Sequence, residues 1–224
     1  MIDATYQPAE RRPLTSRNAN AARRLAAWLI SRNVSANAVS LSSIGCAGLG
    51  ALCLVQSRTA TPIGSRVVLL LAALFVQLRL LANLLDGMIA VGSKKASPVG
   101  ELYNEVPDRV ADILILVAAG SSAGTPTLGY LAALVAVITA YLRALGNSVG
   151  VRGLFAGPMA KPQRMATITG ACLYCACAPA DWPGAVVSNG PSALDVALAL
   201  IVAGGALTSL RRLRVIATEL RGTP

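Results

Sequence analysis

Six apolar runs, most of them near the length of a bilayer crossing, divide this chain. They lie near 38–56, 65–85, 106–123, 127–146, 166–180 and 192–209. A helix needs about 20 mostly apolar residues to cross the hydrocarbon core. The fifth run is short and is ended by Pro179 and Pro183. Lipid cannot satisfy exposed backbone groups, so each run is expected to be a helix. Charged residues make up only 13% of the chain, against roughly 25% in soluble domains. The expected fold is an all-α integral membrane protein with six transmembrane helices. Residues 1–18 are expected to be a loose polar N-terminus, and 19–224 a single polytopic domain.

The basic residues set the orientation. Arg11, Arg12, Arg17, Arg23, Arg24 and Arg32 precede the first run. Lys94 and Lys95 follow the second, Arg152, Lys161 and Arg164 follow the fourth, and Arg211, Arg212, Arg214 and Arg221 follow the last. The opposite loops hold Arg58 and Arg66. By the positive-inside rule both termini face the cytoplasm. The net charge of +10 is therefore read as topology signal and attraction to anionic headgroups. No nucleic-acid partner is expected. The first apolar run lacks a cleavage pattern and is expected to remain as a span.

In the stretch NANAARRLAAWLISRN, Leu25, Trp28 and Leu29 separate from Arg23, Arg24 and Arg32. That pattern predicts an amphipathic helix on the interface ahead of the six spans. Gly45, Gly48 and Gly50 in the first span allow close helix approach, within the chain or to a second copy as a homodimer. Cys172, Cys175 and Cys177 have no histidine partner, since the chain has none, and read as small apolar filler.

Five of the ten acidic residues fall between Asp86 and Asp112: these two, Glu101, Glu105 and Asp108. A charge at the centre of a membrane helix costs about 2.5–3.5 kcal/mol or more, so something must offset it. At ~100° per residue, Glu101, Asn104, Glu105, Asp108 and Asp112 lie within an arc of about 100°. Asn83 and Asp86, three apart, share a face at the end of the second span. Pro107 leaves the Tyr103 carbonyl without its helical donor and is expected to kink or open the helix there. Oxygen ligands without histidine or cysteine favour a hard ion such as Mg²⁺, Mn²⁺ or Ca²⁺. Two such ions could hold a diphosphate. The bland alternative is structural carboxylates neutralised by Arg79, Arg109 or the loop lysines.

Asn83-x-x-Asp86-Gly87-x-x-Ala90-Val91, eight residues, then Gly100-x-x-x-Asn104-x-x-x-Asp108 resembles the signature of the CDP-alcohol phosphatidyltransferase family. That signature reads D-x-x-D-G-x-x-A-R, eight residues, G-x-x-x-D-x-x-x-D. Asn83 and Asn104 stand at the first and third Asp, and Val91 stands at the Arg. The resemblance extends over nearly the whole chain. It implies two divalent ions, Mg²⁺ or Mn²⁺, around the diphosphate of a CDP-linked lipid donor. It further implies Asp86 as a metal ligand and Asp108 as ligand and general base. Asn83 and Asn104 could still lend carbonyl oxygens, and Glu105 and Asp112 could make up the lost charge. Asn83, Gly87, Ala90 and Gly100 would face the nucleotide. Arg143, Arg152, Lys161 and Arg164 form a second basic group that could hold a phosphate on the acceptor alcohol.

The expected function is transfer of a phosphatidyl group from CDP-diacylglycerol to a polar alcohol, with release of CMP, in phospholipid biosynthesis. The expected location is the bacterial inner membrane, with the active site on the cytoplasmic side. Two other classes use the same features. Intramembrane carboxylates also mark ion and proton transporters. The two asparagines also suit a non-catalytic binding or assembly protein.

Overall fold

In a computed structural model of the chain, the described residues are 20–92, 98–151, 153–154, 157–179, 182, 184 and 191–222. The side chains of 98–101 and 104 lie outside that description. Among the described residues there are seven helices: α1 (Asn20–Ser31), α2 (Ala36–Gln56), α3 (Pro62–Gly92), α4 (Pro98–Ala123), α5 (Pro126–Ser148), α6 (Lys161–Cys177) and α7 (Ala193–Gly222).

Local chemistry sets the ends. Ser35 caps α2, its side chain accepting from the Ala38 amide at 3.2 Å, which satisfies one of the free amides of the first turn. Proline opens α3, α4 and α5 and stands second in α6, where its missing N–H is not needed. Pro179 forces Ala178 into an extended conformation, φ −64° and ψ 141°, and α6 stops there. That is why α6 ends before the apolar run does. At the other extreme, α3 and α7 run well beyond their apolar runs. Hydropathy marks where lipid ends, whereas a helix ends where its backbone is broken. α4 is continuous through Pro107, with no break at the expected opening.

α2, α3, α5 and α7 are long and apolar enough to cross a membrane. α6 falls short with 17 residues. α4 carries Glu105, Asp108, Arg109 and Asp112 in the stretch that would cross. On length and composition, then, four of the six expected crossings are met.

The helices pack in a closed ring. α2 touches α3, α3 touches α6, α6 touches α7, α7 touches α5, α5 touches α4, and α4 returns to α2. The interior is built of small and branched side chains: Ala47, Ala72, Ala111, Ala119, Ala132, Ile115, Leu198 and Ile201. Leu49, Leu52, Leu74, Leu134 and Leu200 face outward, as a lipid-facing belt requires.

α1 lies against α3. Ala26 packs with Ala82, Leu85 and Ile89, and Leu29 and Ile30 join them. Leu25 and Trp28 are instead exposed on the flank, Trp28 by 53%, with the Arg32 guanidinium over its ring at 5.6 Å. The helix thus has a protein-facing alanine stripe that the two-face reading did not contain.

Of the three glycines expected to allow close approach, Gly50 does so within the chain. A Cβ at Gly45 or Gly48 would meet nothing within 4 Å, while one at Gly50 would meet the Phe75 Cβ at 3.3 Å. The tightest backbone crossing lies between α4 and α5. A Cβ on Gly129 would sit 2.8 Å from the Leu116 carbonyl oxygen, and one on Gly120 would sit 2.6 Å from the Gly129 Cα. Gly124, at φ +83°, makes the turn that brings these helices together. Backbone cannot give way as a side chain can. Gly129→Ala is therefore expected to destabilise the fold by about 1–3 kcal/mol, while Gly45→Ala leaves it unchanged. Thermal unfolding in detergent measures both, and equal midpoints would refute the difference.

Candidate active site

Arg79, Asn83 and Asp86 follow one another at helical spacing on α3 and point the same way. They meet α4 at Asp108 and Asp112, and α6 at Lys161 and Arg164. Arg79 is fully buried. Its Nη2 donates to the Asp108 carbonyl oxygen at 3.1 Å, to Asp108 Oδ1 at 3.4 Å and to Asp112 Oδ1 at 2.7 Å. Asp112, 1% exposed, gives its other oxygen to Arg164 Nη2 at 2.7 Å. Arg164 Nη1 donates to Thr139 Oγ1 at 3.2 Å and to the Met159 carbonyl at 3.1 Å. One carboxylate thus joins α3, α4 and α6, and Thr139 ties α5 to them.

Lys161, the first residue of α6, reaches across the ring. Its Nζ donates to Asn83 Oδ1 at 2.5 Å and pairs with Asp108 Oδ2. Asp86 is 3% exposed. Its Oδ2 accepts from Ser40 Oγ of α2 at 2.7 Å, and its Oδ1 is buried without a hydrogen-bond partner. It lies within electrostatic reach of both Asp108 and Lys161. Glu105, nearer the surface, pairs with Arg109 on its own helix and with Arg143 of α5 at 2.7 Å.

The structure therefore brings together Asn83, Asp86, Asp108 and Lys161, with Asp112 and Arg164 one layer deeper. Glu105 and Arg143 form a separate pair beside them. Both Asp112 oxygens are occupied by arginine, and Arg164 is committed to Asp112. Gly87 and Ala90 are half-buried one turn or less beyond Asp86. Arg152, Lys94, Lys95 and the side chains of Glu101 and Asn104 lie outside the described residues; Gly100 is described only as part of the α4 backbone. Ser40 and Thr139 enter the site without having been assigned to it from sequence, while Arg79 and Arg109 pair with its carboxylates as the structural alternative expected. Arg79 carried a signal, being a lone cation within an apolar run and on the Asp86 face. Ser40 and Thr139 carried none.

The donor set decides what ion these residues suit. Among the described residues, no group of three or more histidine, cysteine, aspartate or glutamate side chains is arranged to hold a metal. The one buried carboxylate oxygen without a partner among the described residues is Asp86 Oδ1. That fits a single hard ion, since Mg²⁺ is commonly held by one or two carboxylates together with substrate phosphates. The described side chains do not by themselves make a two-ion cage of protein oxygens.

No protein-family model and no curated protein matches the chain. Solved structures do. The crystal structure of Mycobacterium tuberculosis phosphatidylinositol phosphate synthase with CDP-DAG bound aligns with a TM-score of 0.71 at 19% identity, covering 89% of this chain and 95% of that one. The same synthase in complex with manganese and citrate gives a TM-score of 0.70 at 19% identity, covering 88% and 89%. Its apo form gives 0.65 at 17%, covering 87% and 95%. The helical ring described above is thus the fold of this phosphatidylinositol phosphate synthase, shared over nearly the full length of both chains.

Proposed function

We propose that the chain is a membrane transferase of the CDP-alcohol phosphatidyltransferase type. The reading is carried by one observation: Asn83, Asp86 and Asp108, at signature positions, converge with Lys161 at one end of a fold shared with a synthase solved with CDP-DAG. The donor is CDP-diacylglycerol and the acceptor a polar alcohol. The acceptor hydroxyl attacks the phosphorus that bears the lipid group, the bond to the CMP phosphate breaks, and CMP leaves. Asp108 takes the hydroxyl proton. Arg79 and Lys161 hold this carboxylate from two sides and fix its direction. Asp86 would hold a divalent ion, Mg²⁺ or Mn²⁺, which when bound neutralises charge on the diphosphate. Arg143, half-buried near the surface, is the candidate for the acceptor side.

In this reading α4 and α6 complete six crossings with α2, α3, α5 and α7. Both termini and the site lie on the cytoplasmic side, where the nucleotide is found. Trp28 and Leu25 of α1 rest in the headgroup layer.

The ion-pathway reading is opposed by what lies beyond the site. Val76, Leu69, Ile115 and Leu116 are buried in the middle of the ring and offer no polar route. The non-catalytic reading draws support from the two asparagines and from the arginine-saturated Asp112. CMP release separates it from the transferase. Purified protein in detergent, given CDP-diacylglycerol, a panel of alcohols and Mg²⁺ or Mn²⁺, is expected to release CMP with at least one acceptor. Failure with every acceptor, from protein shown to be folded, would remove the enzyme reading.

A further inference from the structure

We propose that the Lys161 ammonium is a built-in second cation of this centre, so that the chain binds a single divalent ion, which enters with the donor diphosphate. The inference rests on the transferase reading. Lys161 Nζ lies between Asn83 Oδ1 of α3, at 2.5 Å, and Asp108 Oδ2 of α4. A cation bridging oxygens from two helices is the role a metal ion plays in an oxygen-ligand site. The ammonium is placed rigidly: Lys161 opens α6, and Arg164, three residues on, is locked to Asp112 and Thr139.

The charges support a single ion. Glu105 is paired with Arg109 and Arg143, Asp112 with Arg79 and Arg164, and Asp108 with Arg79 and Lys161. Asp86 is the described acidic residue of this cluster without a cation in contact, and its buried Oδ1 has no partner. One carboxylate oxygen is a poor site by itself, and phosphate oxygens would have to complete the shell. A second divalent ion would stand beside the fixed ammonium and be repelled by it. The neutral Asn83 fits this arrangement, since it accepts from the ammonium without adding a charge that would call for another ion.

The test is a count of Mn²⁺ by electron paramagnetic resonance on the full chain in detergent, with and without saturating CDP, alongside calorimetric binding of CDP. One Mn²⁺ per chain is expected with CDP, and none retained without it. Lys161→Arg is expected to keep that count. Asn83→Asp combined with Lys161→Gln is expected to raise it to two. Two Mn²⁺ per wild-type chain with CDP, or one held tightly without CDP, would overturn the inference and leave the transferase reading standing. No CDP binding under any condition would overturn both.

Discussion

Arg79→Leu is expected to lower the stability of the protein by about 1.5–3 kcal/mol, the usual worth of hydrogen bonds to charged groups. Arg79 is fully buried and its Nη2 serves both Asp108 and Asp112. Leucine fills much of the space but leaves Asp112 with Arg164 alone and Asp108 with Lys161 alone. The Asp108 carbonyl loses its added donor as well. The thermal midpoint in detergent measures the loss. Adding Asp112→Asn to Arg79→Leu takes the carboxylate from buried Arg164 as well and is expected to deepen the loss. A single variant as stable as the wild type would show that the Arg79 pairs do not hold α3 to α4.

Asp108→Ala should behave in the opposite way, with a large effect on turnover and a small one on the fold. Arg79 keeps Asp112, and Lys161, which loses its carboxylate, keeps the Asn83 oxygen and a partly exposed side chain. CMP release is expected to fall by about 10²–10⁴-fold, the usual contribution of a positioned general base. The midpoint is expected to move less than in Arg79→Leu, because Lys161 is partly exposed and Arg79 is not. A variant that retains full CMP release would exclude Asp108 as the base. The pair of substitutions tests two roles proposed for one helix face, Asp108 toward substrate and Asp112, with Arg79, toward the hold of α3 on α4.

How much of this was legible beforehand depended on whether the signal was local. The period of α4 put Glu105, Asp108 and Asp112 on one side, and all three do reach cations on neighbouring helices. The spacing of Asn83 and Asp86 likewise held, because both obey a single helix. What the residues meet across the ring was not readable. Asp112 and Arg164 are far apart in sequence, and no periodicity joins residues of different helices. Arg164 and Lys161 read alike as basic loop residues, yet one is locked to a buried carboxylate and the other lies over the signature positions. The small-residue faces were legible only in part for the same reason: glycine permits an approach without saying which helix makes it, and within the chain Gly120 and Gly129 join Gly50 at close crossings.

The pairing of Arg79 with Asp112 also bears on how the protein enters its membrane. α3 and α4 are consecutive, with only residues 93–97 between them. Each helix alone would carry an uncompensated charge into lipid, at about 2.5–3.5 kcal/mol apiece on an insertion scale. Delivered as a hairpin, Arg79 and Asp112 offset one another before either is committed. Arg164 emerges two helices later and takes the second Asp112 oxygen only then. The biogenesis of the ring is therefore expected to follow synthesis order, with α3 and α4 entering after α2 and carrying the Arg79–Asp112 pair between them, and α6 closing around it.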